Sequence, residues 1–293
     1  MANTRSRRGH LVIIGGAEDR TDESVILRRF VELAGGRNAR IVVLATATQR
    51  PEAVGGEYVQ TLRALRVKDA VALPCQTRGE ANDDSTLGLL ARATGVFFTG
   101  GDQRRIATVI GGSRADTLLH ARFDDGLVIA GTSAGAAMMS STMVLGGSEL
   151  APTTTAVQLG PGLEFVPGMV IDMHFAERGR IARLLAAVAM YPHELGVGID
   201  EDTALVVHER HFEVIGSGAV TVIDAGSVTS LAVPEETDPD KGDVAIAMTG
   251  VLLHVLPAGY EFDLATRVPV ITRATAPVME DRSALPDLPA EPA

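Results

Sequence analysis

The 293-residue chain has one cysteine and no tryptophan. A lone Cys75 excludes an internal disulfide framework and a thiolate metal centre. It follows the apolar run Val71-Ala72-Leu73 and reads as a small core residue rather than a nucleophile. Without tryptophan, and with 4% aromatic residues, there is little from which to build a sugar- or base-stacking platform. Basic residues are outnumbered 26 to 37, for a formal net charge of −11. That balance speaks against nucleic acid as a partner, because phosphate binding needs net or local positive surface. Long apolar runs are missing as well. Leu11-Val12-Ile13-Ile14, downstream of Arg5, Arg7 and Arg8, is too short for a signal-peptide core and stops at Gly15-Gly16. No run reaches membrane-spanning length. The expectation is a cytoplasmic enzyme with no membrane partner. No G-x-G-x-x-G, Walker A or H-E-x-x-H sequence occurs, and His208 and His211 lack a carboxylate at metal-ligand spacing. No cofactor or metal is expected.

What is present is an alternation. The nearly continuous apolar runs Leu11–Ile14, Ile41–Ala45, Val71–Leu73, Val96–Thr99 and Leu127–Gly131 predict buried strands. Helical patterns over Glu52–Leu65, Ser85–Ala93 and Arg104–Leu119 separate them. This order predicts an α/β fold, a mostly parallel sheet sandwiched by helices, with chemistry at the carboxyl ends of the strands. Past residue 200 the pattern turns to short strands, Thr203–Val207, Phe212–Ile215, Ala219–Ile223, Val244–Met248 and Val251–Leu256, with short turns such as Gly216-Ser217-Gly218, expected to be antiparallel, to extend the same sheet and to pack beside it. Pro234–Asp243 reads as an acidic surface loop. Residues 1–273 are expected to form one domain. Residues 274–293, with four prolines and few large apolar groups, are expected to be a disordered tail.

Gly131-Thr132-Ser133-Ala134-Gly135 matches the G-x-S-x-G elbow, directly after a predicted strand and opening a predicted helix. Chance gives about 0.13 such pentapeptides at this composition. A serine at that turn is exposed over free backbone N–H groups; the bland alternative is an N-cap serine. Phe98-Thr99-Gly100-Gly101-Asp102-Gln103 also ends a strand with adjacent glycines. Such a turn presents an N–H beside that of the residue after the nucleophile, Ala134, as an oxyanion hole requires. Gly15-Gly16-Ala17-Glu18-Asp19 poses the same question at the first strand, though its acidic pair would repel phosphate.

A serine hydroxyl needs a base. Of the seven histidines, His174 stands out, because it follows the strand-like Val170-Ile171-Asp172-Met173. Spacing does not choose an orienting acid among Asp200, Glu201 and Asp202. The order serine, histidine, acid departs from that of α/β-hydrolases and argues against that fold. Arg178, Arg180 and Arg183 surround the start of a helix over Arg180–Met190 whose apolar face is Ile181, Leu184, Leu185 and Val188. Three cations there oppose the helix dipole. They read either as carboxylate-binding forks or as a solvated face partnered by Glu177 and Asp172.

Together the segments LVIIGGAEDR, FFTGGDQ, GTSAGAAMMS, DMHFAERGRIARLL and GVGIDEDTALVV resemble, in order, the cyanophycinases, serine peptidases related to dipeptidase E with a class I glutamine amidotransferase-like fold. The resemblance runs from about Leu11 to Pro269. It implies that Ser133 is the nucleophile, His174 the base and Glu201 the orienting acid. It implies oxyanion donors at Gly100 or Gly101 and at Ala134, and a substrate pocket lined by Gln103, Asp172, Arg178, Arg180 and Arg183. It implies cyanophycin, a poly-aspartate carrying arginine on each β-carboxyl, as substrate, β-aspartyl-arginine as product, and a homodimer. Met173 departs from the pattern, which has glutamine beside the catalytic histidine. A dipeptidase acting on β-aspartyl or aspartyl peptides, and a non-catalytic ligand-binding relative, are the alternatives.

Overall fold

The computed structural model describes residues 8–21, 23–147, 151–153, 155–232 and 244–270. The first half alternates as expected: β1 (Leu11–Ile14), α1 (Val25–Leu33), β2 (Arg40–Leu44), α2 (Pro51–Ala64), β3 (Asp69–Leu73), α3 (Asp84–Arg92), β4 (Gly95–Phe98), α4 (Gln103–Val109), α5 (Arg114–Asp124), β5 (Val128–Thr132) and the short α6 (Ala134–Ala137). The second half comprises β6 (Thr142–Gly147), β7 (Val157–Pro161), β8 (Met169–Met173), α7 (Ile181–Met190), β9 (Leu195–Ile199), β10 (Thr203–His208), β11 (His211–Gly216), β12 (Ala219–Asp224), β13 (Ser230–Ala232), β14 (Ala247–Thr249), β15 (Leu252–Pro257), β16 (Glu261–Asp263) and β17 (Val268–Val270).

Nine strands form the main sheet in the order β17-β16-β11-β10-β1-β5-β4-β2-β3. From β1 to β3 all pairings are parallel; from β1 to β17 all are antiparallel. The continuous apolar runs have a physical reason. In β1, Leu11 and Ile13 enter one core while Val12 and Ile14 enter the other, on the opposite face. Val42 and Leu44 part from Ile41 and Val43 in the same way. A strand covered on both sides has no polar face to show. Each fully buried aliphatic side chain contributes about 1.5–3 kcal/mol.

Three expectations need correction in detail. Only β10, β11, β16 and β17 extend the main sheet; β12 and β15 join β8 and β9 in a separate sheet of order β15-β12-β9-β8. Gly216-Ser217-Gly218 is therefore no hairpin turn. It passes the chain from one sheet to the other, as Asp200–Asp202 does in the reverse direction between β9 and β10. The two crossings are fastened together by Ser217 N–H to Asp202 O at 2.8 Å and Ala219 N–H to Asp200 Oδ2 at 3.1 Å. The helix expected over Arg104–Leu119 is two helices. Gly111-Gly112 breaks it, and Ser113 caps the second half by accepting from Asp116 N–H at 3.2 Å. The strand expected over Val244–Met248 is limited to Ala247–Thr249. The acidic loop at Pro234–Asp243 and the tail at 274–293 lie outside the described residues. No helix among the described residues is long and apolar enough to cross a membrane.

The carboxyl ends of β1, β4, β5, β8 and β9 converge. Ser133 N–H donates to Ile14 O at 3.0 Å, and His174 N–H donates to Gly15 O at 2.8 Å. A Cβ placed on Gly15 would lie 2.6 Å from Ile199 O. This meeting of strand ends is where the fold brings its loops, and its chemistry, together.

Candidate active site

Ser133 leaves β5 through a forced turn, with φ 51° and ψ −109°. Few non-glycine residues occupy that region, and the surroundings hold it there. A Cβ on Gly131 would lie 2.2 Å from Gly135 O, and one on Gly135 would lie 2.3 Å from Phe98 O, so neither position admits a side chain. Ser133 O accepts from Ala136 N–H and Ala137 N–H, which starts α6 at once. The result is a hydroxyl raised above a turn.

His174 ends β8 in the left-handed region, φ 50°. Its neighbour locks it: Phe175 N–H donates to Ile199 O at 3.1 Å, and the Phe175 ring occupies the space where Gly198 lacks a side chain. Ser133 Oγ lies 2.9 Å from His174 Nε2, and His174 Nδ1 lies 2.6 Å from Glu201 Oε1. Donation from Nδ1–H to the carboxylate leaves Nε2 free to accept from the serine hydroxyl. The acids on either side of Glu201 have other partners. Asp200 accepts from Ala176 N–H and Ala219 N–H, and Asp202 accepts from Asp19 N–H at 2.8 Å. Of the three acids, only Glu201 reaches the imidazole.

A Cβ on Gly100 would stand 3.5 Å from Ser133 Cβ, so this glycine borders Ser133. Gly101 has φ +145° and no room for a side chain, with Ala47 O 2.3 Å from a Cβ position. The N–H groups of Gly100, Gly101 and Ala134 make no hydrogen bond among the described residues. Donors left unpaired beside a nucleophile are suited to a developing oxyanion.

The remaining predicted site residues divide. Arg178 is exposed and in no ion pair among the described residues. Gln103 points its amide at β6, donating to Val144 O at 2.8 Å. Asp172, Arg180 and Arg183 are buried together and not on a solvated face. Arg183 grips Asp172 with two donors, Nε at 2.6 Å to Oδ2 and the other to Oδ1. Arg180 donates to Asp172 Oδ1 at 3.4 Å and to Met173 O at 2.5 Å. Met173 itself is buried, its sulfur 3.5 Å from Arg180. The apolar face expected of α7 also shifts: Ile181 is 43% exposed while Arg183 is buried.

Sequence reasoning missed what Gly15-Gly16-Ala17-Glu18-Asp19 does. Gly16, at φ +108°, backs the His174 imidazole; a Cβ there would lie 2.2 Å from His174 Cε1 and 2.6 Å from Nε2. Buried Glu18 accepts from Tyr58 Oη at 2.5 Å and from Thr132 Oγ1 at 2.6 Å, tying this loop to the residue before Ser133. Burial, then the Glu18 charge, pushes the Tyr58 phenol well above its usual range, so it remains a donor. The twin glycine after a central strand was the available signal. Gly16→Ala is expected to displace the ring and lower kcat by about 10²-fold, since a shift near 1 Å costs that much. Steady-state kinetics on the purified variant measures it, and wild-type turnover would remove Gly16 from the account.

Residues 11–215 match Peptidase family S51. The chain is 35% identical over 268 residues to a cyanophycinase of Geminocystis herdmanii, covering 90% of this chain and 96% of that one. It is 33% identical over 282 residues to a cyanophycinase of Trichormus variabilis, covering 94% and 93%. The crystal structure of a peptidase from an acI-B1 Actinobacterium shares the fold, with a TM-score of 0.64 at 20% identity over 88% of this chain and 98% of that one. The chain belongs to peptidase family S51, and with its cyanophycinase relatives that makes it a serine-type peptidase.

Proposed function

We propose that the chain hydrolyses cyanophycin to β-aspartyl-arginine dipeptides by acyl transfer through Ser133, His174 and Glu201. The observation that carries the reading is the unbroken hydrogen-bond chain from Ser133 Oγ through the imidazole to Glu201, beside unpaired backbone donors. His174 Nε2 takes the hydroxyl proton as Oγ bonds to the scissile carbonyl carbon. Glu201 accepts from Nδ1–H throughout and stabilises the imidazolium. The N–H groups of Ala134 and of Gly100 or Gly101 receive the oxyanion. The imidazolium then gives its proton to the leaving amine as the C–N bond breaks. Water, deprotonated by His174, releases the acyl group and regenerates Ser133. A cytoplasmic homodimer completes the proposal.

Purified protein incubated with insoluble cyanophycin, followed by mass spectrometry of the supernatant, tests it. The expected result is soluble β-aspartyl-arginine. One observation favours a narrower reading, a dipeptidase acting on short β-aspartyl or aspartyl peptides. Asp172, Arg180 and Arg183 are committed to one another, and Met173 stands where the resemblance expects a polar contact. Cleavage of short peptides with the polymer untouched would select that reading and overturn the polymer one.

A further inference from the structure

A cavity of about 420 Å³ lies between the loops that follow β2 and β4, lined by Ala47, Thr48, Gln49, Gly101, Asp102 and Arg105. Asp102 N–H donates to Ala47 O at 3.0 Å, which fastens the two loops together. One wall is Gly101, next in the chain to the glycine that borders Ser133. Ser133 and His174 do not line the cavity, which adjoins them through the Gly100-Gly101 turn.

Half-buried Arg105 is its cation. Its Nε donates to Thr46 O at 3.1 Å and its Nη2 to Gln76 Oε1. Gln76 is held in turn, with its amide donating to Ala45 O at 3.0 Å and Pro74 O at 2.8 Å, so its oxygen is fixed toward the guanidinium. Every acceptor on Arg105 is neutral, and no carboxylate among the described residues forms an ion pair with it. In a chain with 37 acidic side chains against 26 basic ones, that is unusual company for a sheltered arginine. Arg183 and Arg267 show the ordinary solution, each on a mostly buried aspartate. Asp102 shares the cavity, but its Oδ1 accepts from Arg104 N–H at 2.9 Å. A guanidinium pinned by two neutral acceptors, with donors left over and facing a cavity, is preorganised for an anion brought by a ligand.

We propose that Arg105 binds a free carboxylate of the substrate, on or next to the residue whose carbonyl faces the Gly100-Gly101 turn. One residue of extended chain spans about 3.3–3.6 Å, so a carboxylate on or next to that residue is within reach of this cavity. The proposal rests on Ser133 being the nucleophile and does not need the substrate to be a polymer.

The test uses an uncharged fluorophosphonate that labels Ser133, with β-aspartyl-arginine as protecting ligand, against the same dipeptide with both carboxylates converted to carboxamides. For the wild-type chain the acid is expected to protect at a concentration about tenfold lower than the amide. Arg105→Met should abolish that preference and Arg105→Lys should keep part of it. Equal protection by acid and amide in the wild type, a comparison that needs no variant, would overturn the proposal. So would an undiminished preference in Arg105→Met. Cyanophycin cleavage is measured alongside. If the polymer is untouched while protection still depends on Arg105, the subsite stands and the polymer reading falls. If Arg105→Met cleaves polymer with wild-type kcat/KM, the polymer reading stands and the subsite falls.

Discussion

Ser133→Ala is expected to lower kcat by about 10⁴–10⁶-fold while the protein remains folded. The size follows from the mechanism, because loss of the nucleophile removes the acyl-enzyme and leaves only binding and oxyanion stabilisation. The intact fold follows from the contacts. The Ser133 hydroxyl makes one side-chain hydrogen bond, to His174, worth about 1 kcal/mol. The bonds that shape the elbow come from its backbone, to Ile14 O and from Ala136 and Ala137, and alanine keeps all of them. Turnover and circular dichroism on the same preparation separate the two effects. A folded variant with turnover near that of the wild type would place the nucleophile elsewhere.

The second large effect is on stability. Asp172→Ala is expected to destabilise the protein by roughly 3–5 kcal/mol. Asp172 is fully buried, and the Arg180 and Arg183 side chains are only 8% and 6% exposed. Removing the carboxylate takes both acceptors from the buried Arg183 guanidinium and one from Arg180, and that loss is the main cost. Typical domains have about 5–15 kcal/mol in total, so much of the margin disappears. At about 2–4 °C per kcal/mol, the melting temperature should fall by roughly 6–20 °C. The resemblance implies that Asp172 lines the substrate pocket; its contacts place it beneath the turn that carries His174. A variant with wild-type melting temperature and a raised KM alone would assign Asp172 to substrate binding and not to stability.

The same cluster shows where the sequence was legible and where it was not. Strand runs in the first half were readable because both faces of the sheet are covered, so every residue of Leu11–Ile14 is apolar. Ser133 and His174 were readable because each sits where a strand pattern ends. The burial of Arg183 was not readable, because helical periodicity counts a charge as an outward group. It has no way to register a buried aspartate on a neighbouring strand that makes burial affordable. Ile181, apolar yet exposed, is the mirror of that error. The choice among Asp200, Glu201 and Asp202 was beyond spacing, since all three follow the same strand. It is decided by the crossover between the sheets, where the backbones of Ala176, Ala219 and Asp19 occupy the flanking acids and leave Glu201 for the imidazole. The separate sheet holding β12 and β15 was likewise hidden, because a Gly-Ser-Gly turn between two strands looks the same whether they pair or part.

The central claim is that Ser133 is a nucleophile activated by His174. Its most direct test is labelling with a fluorophosphonate, followed by peptide mapping, in the wild type and in His174→Ala. The account predicts one adduct per chain, located on Ser133, and loss of labelling in the variant. An adduct on another residue, or labelling of His174→Ala at the wild-type rate, would contradict it.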